Sequence, residues 1–201
     1  MNFQTTASFI LASQPPRRRE LFAQLHIPFD VESADVEETS VAFQTAPQYV
    51  QDVALLKAQA VAAKHPDAVV IGSDTIVVYR DQLLHKPKTT NEAVQHLQKL
   101  RGKTHEVLTA VAIVTAQNTY SFVETTSVTF RMVSDAFIEA YVATGDPFDK
   151  AGGYGIQTDG VFFVEKIDGD YLTVVGLPLS RLTDELLQHN LLQLETQEVQ
   201  A

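Results

Sequence analysis

Residues 105–115 and 119–132 alternate apolar and polar side chains well enough to form two long antiparallel strands, which commits the middle of the chain to a sheet. Ahead of them, residues 68–72 (Ala-Val-Val-Ile-Gly) are an uninterrupted apolar run, the pattern of a buried strand. Residues 75–79 are rich in strand formers, and a turn at Arg80-Asp81 returns the chain through Leu83-Leu84 as a hairpin. Residues 8–12 and 29–34 read as two more strands, and 161–164 and 171–175 as late ones. Helical spacing covers residues 17–25, 46–65, 91–100, 134–144 and 178–188. Pro16 and Pro47 stand at helix starts, where the missing proline N–H has no partner to lose. The glycine-rich stretch 145–160 is expected to be a functional loop. Strands and helices mixed without strict alternation predict an α/β (mixed α+β) fold with two lobes.

Composition narrows the chemistry. The 201 residues include no Cys, which excludes disulfides, zinc–thiolate sites and thiol catalysis. No apolar run has the length needed to span a bilayer, and the first residues lack the pattern of a secretory signal, so a cytoplasmic location is expected. The formal charge of −10 argues against a protein that coats nucleic acid. A small anion is still compatible, because a few local cations dominate a pocket inside an acidic molecule.

Several residues break local rules. Arg17, Arg18 and Arg19 crowd a helix start, where the dipole disfavours each exposed cation by about 0.3–1 kcal/mol. The same helix end offers free N–H groups to anions, so Arg17 and Arg18 read as a phosphate seat, or else as a solvated charge run. Lys57 falls on the apolar stripe of its helix, one turn from both Val53 and Val61. It either snorkels to solvent or lines a cleft. Asp74 ends the apolar run just after Gly72-Ser73, where a strand delivers a side chain to a cleft, unless it merely caps a turn. Carboxylates such as Asp74 and Glu38, completed by water, suit Mg²⁺ or Mn²⁺. Lys86-Pro87 follows the hairpin and Asp149-Lys150 opens the glycine-rich segment. The six His show no metal-ligand spacing, and neither a Walker loop nor a G-x-S-x-G elbow is present.

These segments, in order, resemble the Maf family of nucleoside triphosphate pyrophosphatases from Leu11 to about Leu179. The resemblance is carried by Leu11-Ala12-Ser13, Pro16-Arg17-Arg18, Glu20-Leu21, Glu38, Ala54 and Lys57-Ala58. It continues through Gly72-Ser73-Asp74-Thr75, Lys86-Pro87, Gly102 and Thr104-His105-Glu106-Val107. Asp149-Lys150-Ala151-Gly152, Tyr154-Gly155-Ile156-Gln157 and Val174-Val175-Gly176-Leu177-Pro178 complete it. The resemblance implies an elongated, curved mixed sheet flanked by helices, with two lobes and a central cleft, over residues 1–190. An acidic tail, residues 191–201, is expected to fray.

The resemblance also implies metal-dependent cleavage between the α- and β-phosphates of a nucleoside triphosphate, and a homodimer. Asp74 matches the family's catalytic acid–base position, and with Glu38 it is the expected metal pair for Mg²⁺ or Mn²⁺. Ser13, Arg17, Arg18, Lys57 and Lys86 are the expected phosphate ligands. Arg17, Thr75 and Gln157 match positions linked to choice of base, and Thr75 points to the branch that hydrolyses dTTP and UTP. The alternatives are the same chemistry on 7-methyl-GTP or another modified nucleotide, and a non-catalytic nucleotide sensor in cell-division control. No nucleic-acid or membrane partner is expected. The chain departs from the family at Pro15, where Ser is usual, at Arg101, and at Thr173, near a position often held by Asn.

Overall fold

The computed structural model describes residues 2–195. In chain order the strands and helices are β1 (Phe3–Gln4), β2 (Phe9–Ala12), α1 (Pro16–Phe22), β3 (Phe29–Val31), α2 (Ala46–Ala62), β4 (Val69–Tyr79) and β5 (Gln82–Leu84). They continue with α3 (Thr90–Leu100), β6 (Thr104–Val114), β7 (Thr119–Phe130), α4 (Asp135–Ala143), β8 (Val164–Asp168), α5 (Tyr171–Val175), α6 (Leu179–Gln188) and β9 (Gln193–Leu194). Short 3-10 turns fill the spaces, including Glu38–Ser40 and three within residues 146–163.

The helix starts follow from capping side chains. The hydroxyls of Thr45, Thr89 and Ser134 accept the N–H three residues on, and so begin α2, α3 and α4. On α2 the buried residues Val50, Val53, Ala54, Ala58 and Val61 recur at helical spacing and lie against the sheet.

The main sheet runs β3-β2-β4-β6-β7-β8, with β5 also on β4. β2 is parallel to β3 and β4, whereas β4, β6, β7 and β8 pair antiparallel. The β4–β5 turn holds Arg80 and Asp81 at φ 50° and 61°, the left-handed pair that a tight hairpin needs.

β4 positions everything that follows. One of its edges pairs with β6 without a break from Val70 to Val78. Its other edge is shared: β2 takes Val69 to Gly72 and β5 takes Val77 to Tyr79. Residues 73–76 therefore have no strand on that side, and the sheet carries a notch. Alternation sends Asp74 to one face of β4 and Thr75 to the other. Three apolar clusters surround the notch: β2, α1 and α6 on one face, α2 on the opposite face, and α3 with α4 at the far end.

Two expectations need correction. Residues 171–175 form helix α5, because Asp170 accepts the N–H groups of Leu172 and Thr173 and caps a helical turn. The late strand is β8, beginning at Val164, and residues 159–163 are a 3-10 turn. Of the expected tail, Gln193 and Leu194 pair with Gln4 and Phe3, and residues 196–201 lie outside the described residues. The expected loop 145–160 is a chain of 3-10 turns. No helix among the described residues is long and apolar enough to cross a membrane.

Candidate active site

A cleft of about 380 Å³ opens at the notch in β4. Ser13, Arg17, Arg18, Glu38, Lys57, Asp74, Thr75, Lys86 and Gln157 all line it, so the residues singled out in the sequence meet in one place. They come from the β2–α1 turn and the start of α1, the segment before α2, the middle of α2, the part of β4 left unpaired at the notch, the β5–α3 link and the loop before β8.

On the α2 face, Lys57 Nζ lies 2.8 Å from Asp74 Oδ1 and 2.6 Å from Glu38 Oε1. The side chains of Lys57 and Asp74 are each only 13% exposed and that of Glu38 is 46% exposed, so the ammonium joins a shielded carboxylate to one that meets solvent. Lys57 is thus a cleft residue and does not snorkel. Burial alone would raise the pKa of Glu38, but the Lys57 hydrogen bond and the charges of Lys57, Lys86 and Arg18 bring it below the usual carboxylate value.

On the other face, Arg18 is buried and held at three points. Its Nε donates to the Gly176 carbonyl at 2.7 Å, Nη1 to Ser13 Oγ at 3.1 Å and Nη2 to Thr75 Oγ1 at 2.9 Å. A guanidinium has five N–H bonds, so two remain for an anion in the cleft. Burial pulls its pKa down to about 10; Asp74 opposes that shift and Arg17 adds to it. The group still carries its charge at neutral pH. Arg17 is lowered chiefly by burial and partly restored by Asp149 and Asp146, and its buried Nε has no hydrogen-bond partner among the described residues. Arg19 points to solvent, as its helix position predicts.

Beyond Thr75 the cleft wall becomes apolar, with Val107, Tyr154, Ile156 and Val174 beside the exposed Gln157. Tyr154 is held from behind by His105, whose Nε2 lies 2.7 Å from the phenol oxygen. Lys150 reaches Asp146 and Asp149, and Asp146 accepts from Tyr141 and Thr158, which ties the loop into its shape.

Sequence reasoning missed Ser73, Thr109, Thr173 and the Gly176 carbonyl. Ser73 Oγ donates to Gly176 O, and Thr109 joins Thr75 to the Thr173 carbonyl. A signal was available for Thr109, a hydroxyl inside the apolar run Leu108 to Ile113.

For a cation, the donor chemistry fits. Asp74 and Glu38 are hard oxygen donors that face one another across a single ammonium. Among the described residues no group of three or more His, Cys, Asp or Glu is placed to hold a metal. A set of one or two carboxylates suits Mg²⁺ or Mn²⁺, which keeps waters and uses substrate phosphates for its other positions.

The chain matches the family described as Maf-like protein over residues 8–189. It is 49% identical over 180 residues to a Bacillus cytotoxicus protein named dTTP/UTP pyrophosphatase, covering 90% of this chain and 94% of that protein. A Bacillus cereus protein of the same name is 48% identical over 182 residues, with 90% and 95% covered. A structural likeness with a TM-score of 0.46 and 18% identity runs to the Staphylococcus aureus Ham1 protein, over 61% of this chain and 71% of that one. The matched span takes in the β2–α1 turn, the notch in β4 and the loop carrying Gln157, and the chain belongs to the Maf-like protein family.

Proposed function

We propose that the chain hydrolyses dTTP and UTP to the nucleoside monophosphate and pyrophosphate, with Mg²⁺ or Mn²⁺ as cofactor. The observation that carries this reading is the joining of Asp74 and Glu38 through Lys57 in a cleft that also holds Arg17, Arg18 and Lys86. Phosphoryl transfer needs positioning and charge neutralisation more than covalent chemistry from the protein.

Asp74 accepts the proton of the attacking water as general base, and Lys57, 2.8 Å away, holds its carboxylate in place. Arg17, Lys86 and the free N–H groups of Arg18 stabilise the charge that develops on the departing pyrophosphate. Ser13, fixed by Arg18, stands beside the same oxygens. Gln157 carries both a donor and an acceptor and matches the edge of uracil or thymine. Asp74 and Glu38 would hold a divalent cation, which when bound would supply further neutralisation of the triphosphate and acidify a water. The pyrimidine assignment draws on the names of the Bacillus relatives and on Thr75.

The test is pyrophosphate release from dTTP, UTP, CTP, GTP and 7-methyl-GTP, with Mg²⁺, with Mn²⁺ and with chelator. Metal-dependent release chiefly from dTTP and UTP is expected. Release chiefly from a purine would overturn the substrate assignment, and binding without release would overturn the enzyme assignment.

A further inference from the structure

Thr109 sits in the middle of β6, fully buried, and is not part of the cleft wall. Its hydroxyl lies 2.7 Å from the Thr173 carbonyl oxygen and 2.9 Å from Thr75 Oγ1. Thr75 Oγ1 is in turn 2.9 Å from Nη2 of Arg18.

The proton directions along this row follow from what each group can do. A guanidinium only donates, so Thr75 accepts from Arg18. A carbonyl only accepts, so Thr109 gives its single hydrogen to Thr173. Between the two hydroxyls, Thr75 must then be the donor. The Thr75 hydrogen points inward to Thr109, and what Thr75 presents to the cleft is a lone pair alone.

Thr109 also reaches Arg18 by a second route. The Thr173 carbonyl that it binds belongs to α5, and α5 ends at Gly176, whose carbonyl accepts from Arg18 Nε. Asp170 holds the other end of this helix through the Thr173 N–H and hydroxyl, each at 2.8 Å. One buried hydroxyl therefore anchors the guanidinium at Nη2 and at Nε.

We infer that Thr109 is a positioning residue that fixes the Arg18 guanidinium and makes Thr75 an acceptor-only group. The consequence for substrate rests on the nucleotide reading above. A lone pair repels phosphate oxygens and accepts from an N–H or O–H, so Thr75 serves the nucleoside portion and leaves the triphosphate to Arg17, Arg18 and Lys86.

The test compares Thr109→Val, Thr109→Ser and Thr126→Val. Valine keeps the shape of threonine and removes the hydroxyl; serine restores it. Thr126 is a control, because its hydroxyl binds the backbone carbonyl of Asp170 at 2.9 Å, leaving the Asp170 carboxylate cap on α5 in place and touching neither Thr75 nor Arg18. Two readouts are taken: kcat and KM with UTP, and hydrogen exchange at the Arg18 Nε–H by NMR. Thr109→Val is expected to lower kcat/KM about tenfold, mainly through kcat, and to speed the exchange about tenfold, as loss of one hydrogen bond implies. Thr109→Ser is expected to recover both, and Thr126→Val to leave both near wild type while lowering Tm. Unchanged kinetics or unchanged exchange in Thr109→Val overturns the inference, as does an equal defect in Thr109→Ser or Thr126→Val. If the wild-type chain releases no pyrophosphate, the proposed function fails, and the Arg18 exchange still decides the role of Thr109.

Discussion

Gly72 of β4 lies so close to α2 that a methyl group built on it would stand 2.4 Å from the carbonyl oxygen of Ala54. The same methyl would meet the Ala58 backbone nitrogen and Cβ at 2.8 Å. The contacts are backbone and a rigid side chain, so they cannot give way. This approach brings Lys57, one residue before Ala58, into reach of Asp74, two residues after Gly72.

Gly72→Ala should therefore act on stability and site together. The overpacked contact is expected to destabilise the fold by about 1–3 kcal/mol. By pushing α2 away it should also lengthen the Lys57–Asp74 contact and lower kcat. Urea unfolding beside pyrophosphate release checks both; an unchanged kcat would show that the spacing of α2 and β4 does not set the site.

Lys57→Met keeps the length and apolar stem of the lysine and removes the charge between Asp74 and Glu38. Turnover is expected to fall about 10²-fold, the usual scale for removing one fixed charge stabiliser. Steady-state pyrophosphate release measures it, and circular dichroism should show the fold retained.

Asp170→Ala removes the acceptor of two backbone N–H groups and of the Thr173 hydroxyl. Loss of this cap should destabilise by about 1–2 kcal/mol. Because α5 leads to the Gly176 carbonyl that holds Arg18, activity should fall as well. Thermal unfolding and kcat/KM are the measurements.

Stability should fall in acid through His105. Its ring is buried between Phe130 and Tyr154, and burial holds its pKa down to about 3. An unfolded histidine takes up a proton near pH 6.5, whereas the folded ring stays neutral until about 3. The contribution is full above pH 6.5 and declines as the pH drops below it, by about 1.4 kcal/mol per pH unit until the folded ring titrates. Urea unfolding at pH 7 and pH 5 should show this slope in the wild type, and a shallower one in His105→Gln.

The parts of the fold governed by local pattern were legible in the sequence. β6 and β7 alternate, β4 opens on an apolar run, and Pro16 and Pro47 mark helix starts, so these elements stand where expected. Residues 171–175 failed because Tyr-Leu-Thr-Val-Val favours strand locally, while the Asp170 cap and contacts to β6 and β7 favour a helical turn. The β1–β9 pair is only two residues long on each strand, too short for any periodicity. At the site, charge out of place revealed Arg17, Lys57 and Asp74. What it could not reveal is that Arg18 and Thr75 are tied inward to Gly176 and Thr109, since those contacts join residues far apart in the chain.

The most direct test is pyrophosphate release from UTP and dTTP by wild type and Asp74→Asn, with Mg²⁺ and with chelator. The substitution preserves shape and the hydrogen-bonding position while removing the base. Wild type should turn over only with metal, and the variant should be slower by about 10²- to 10⁴-fold at an unchanged Tm. An Asp74→Asn variant that keeps near-wild-type turnover would contradict the account.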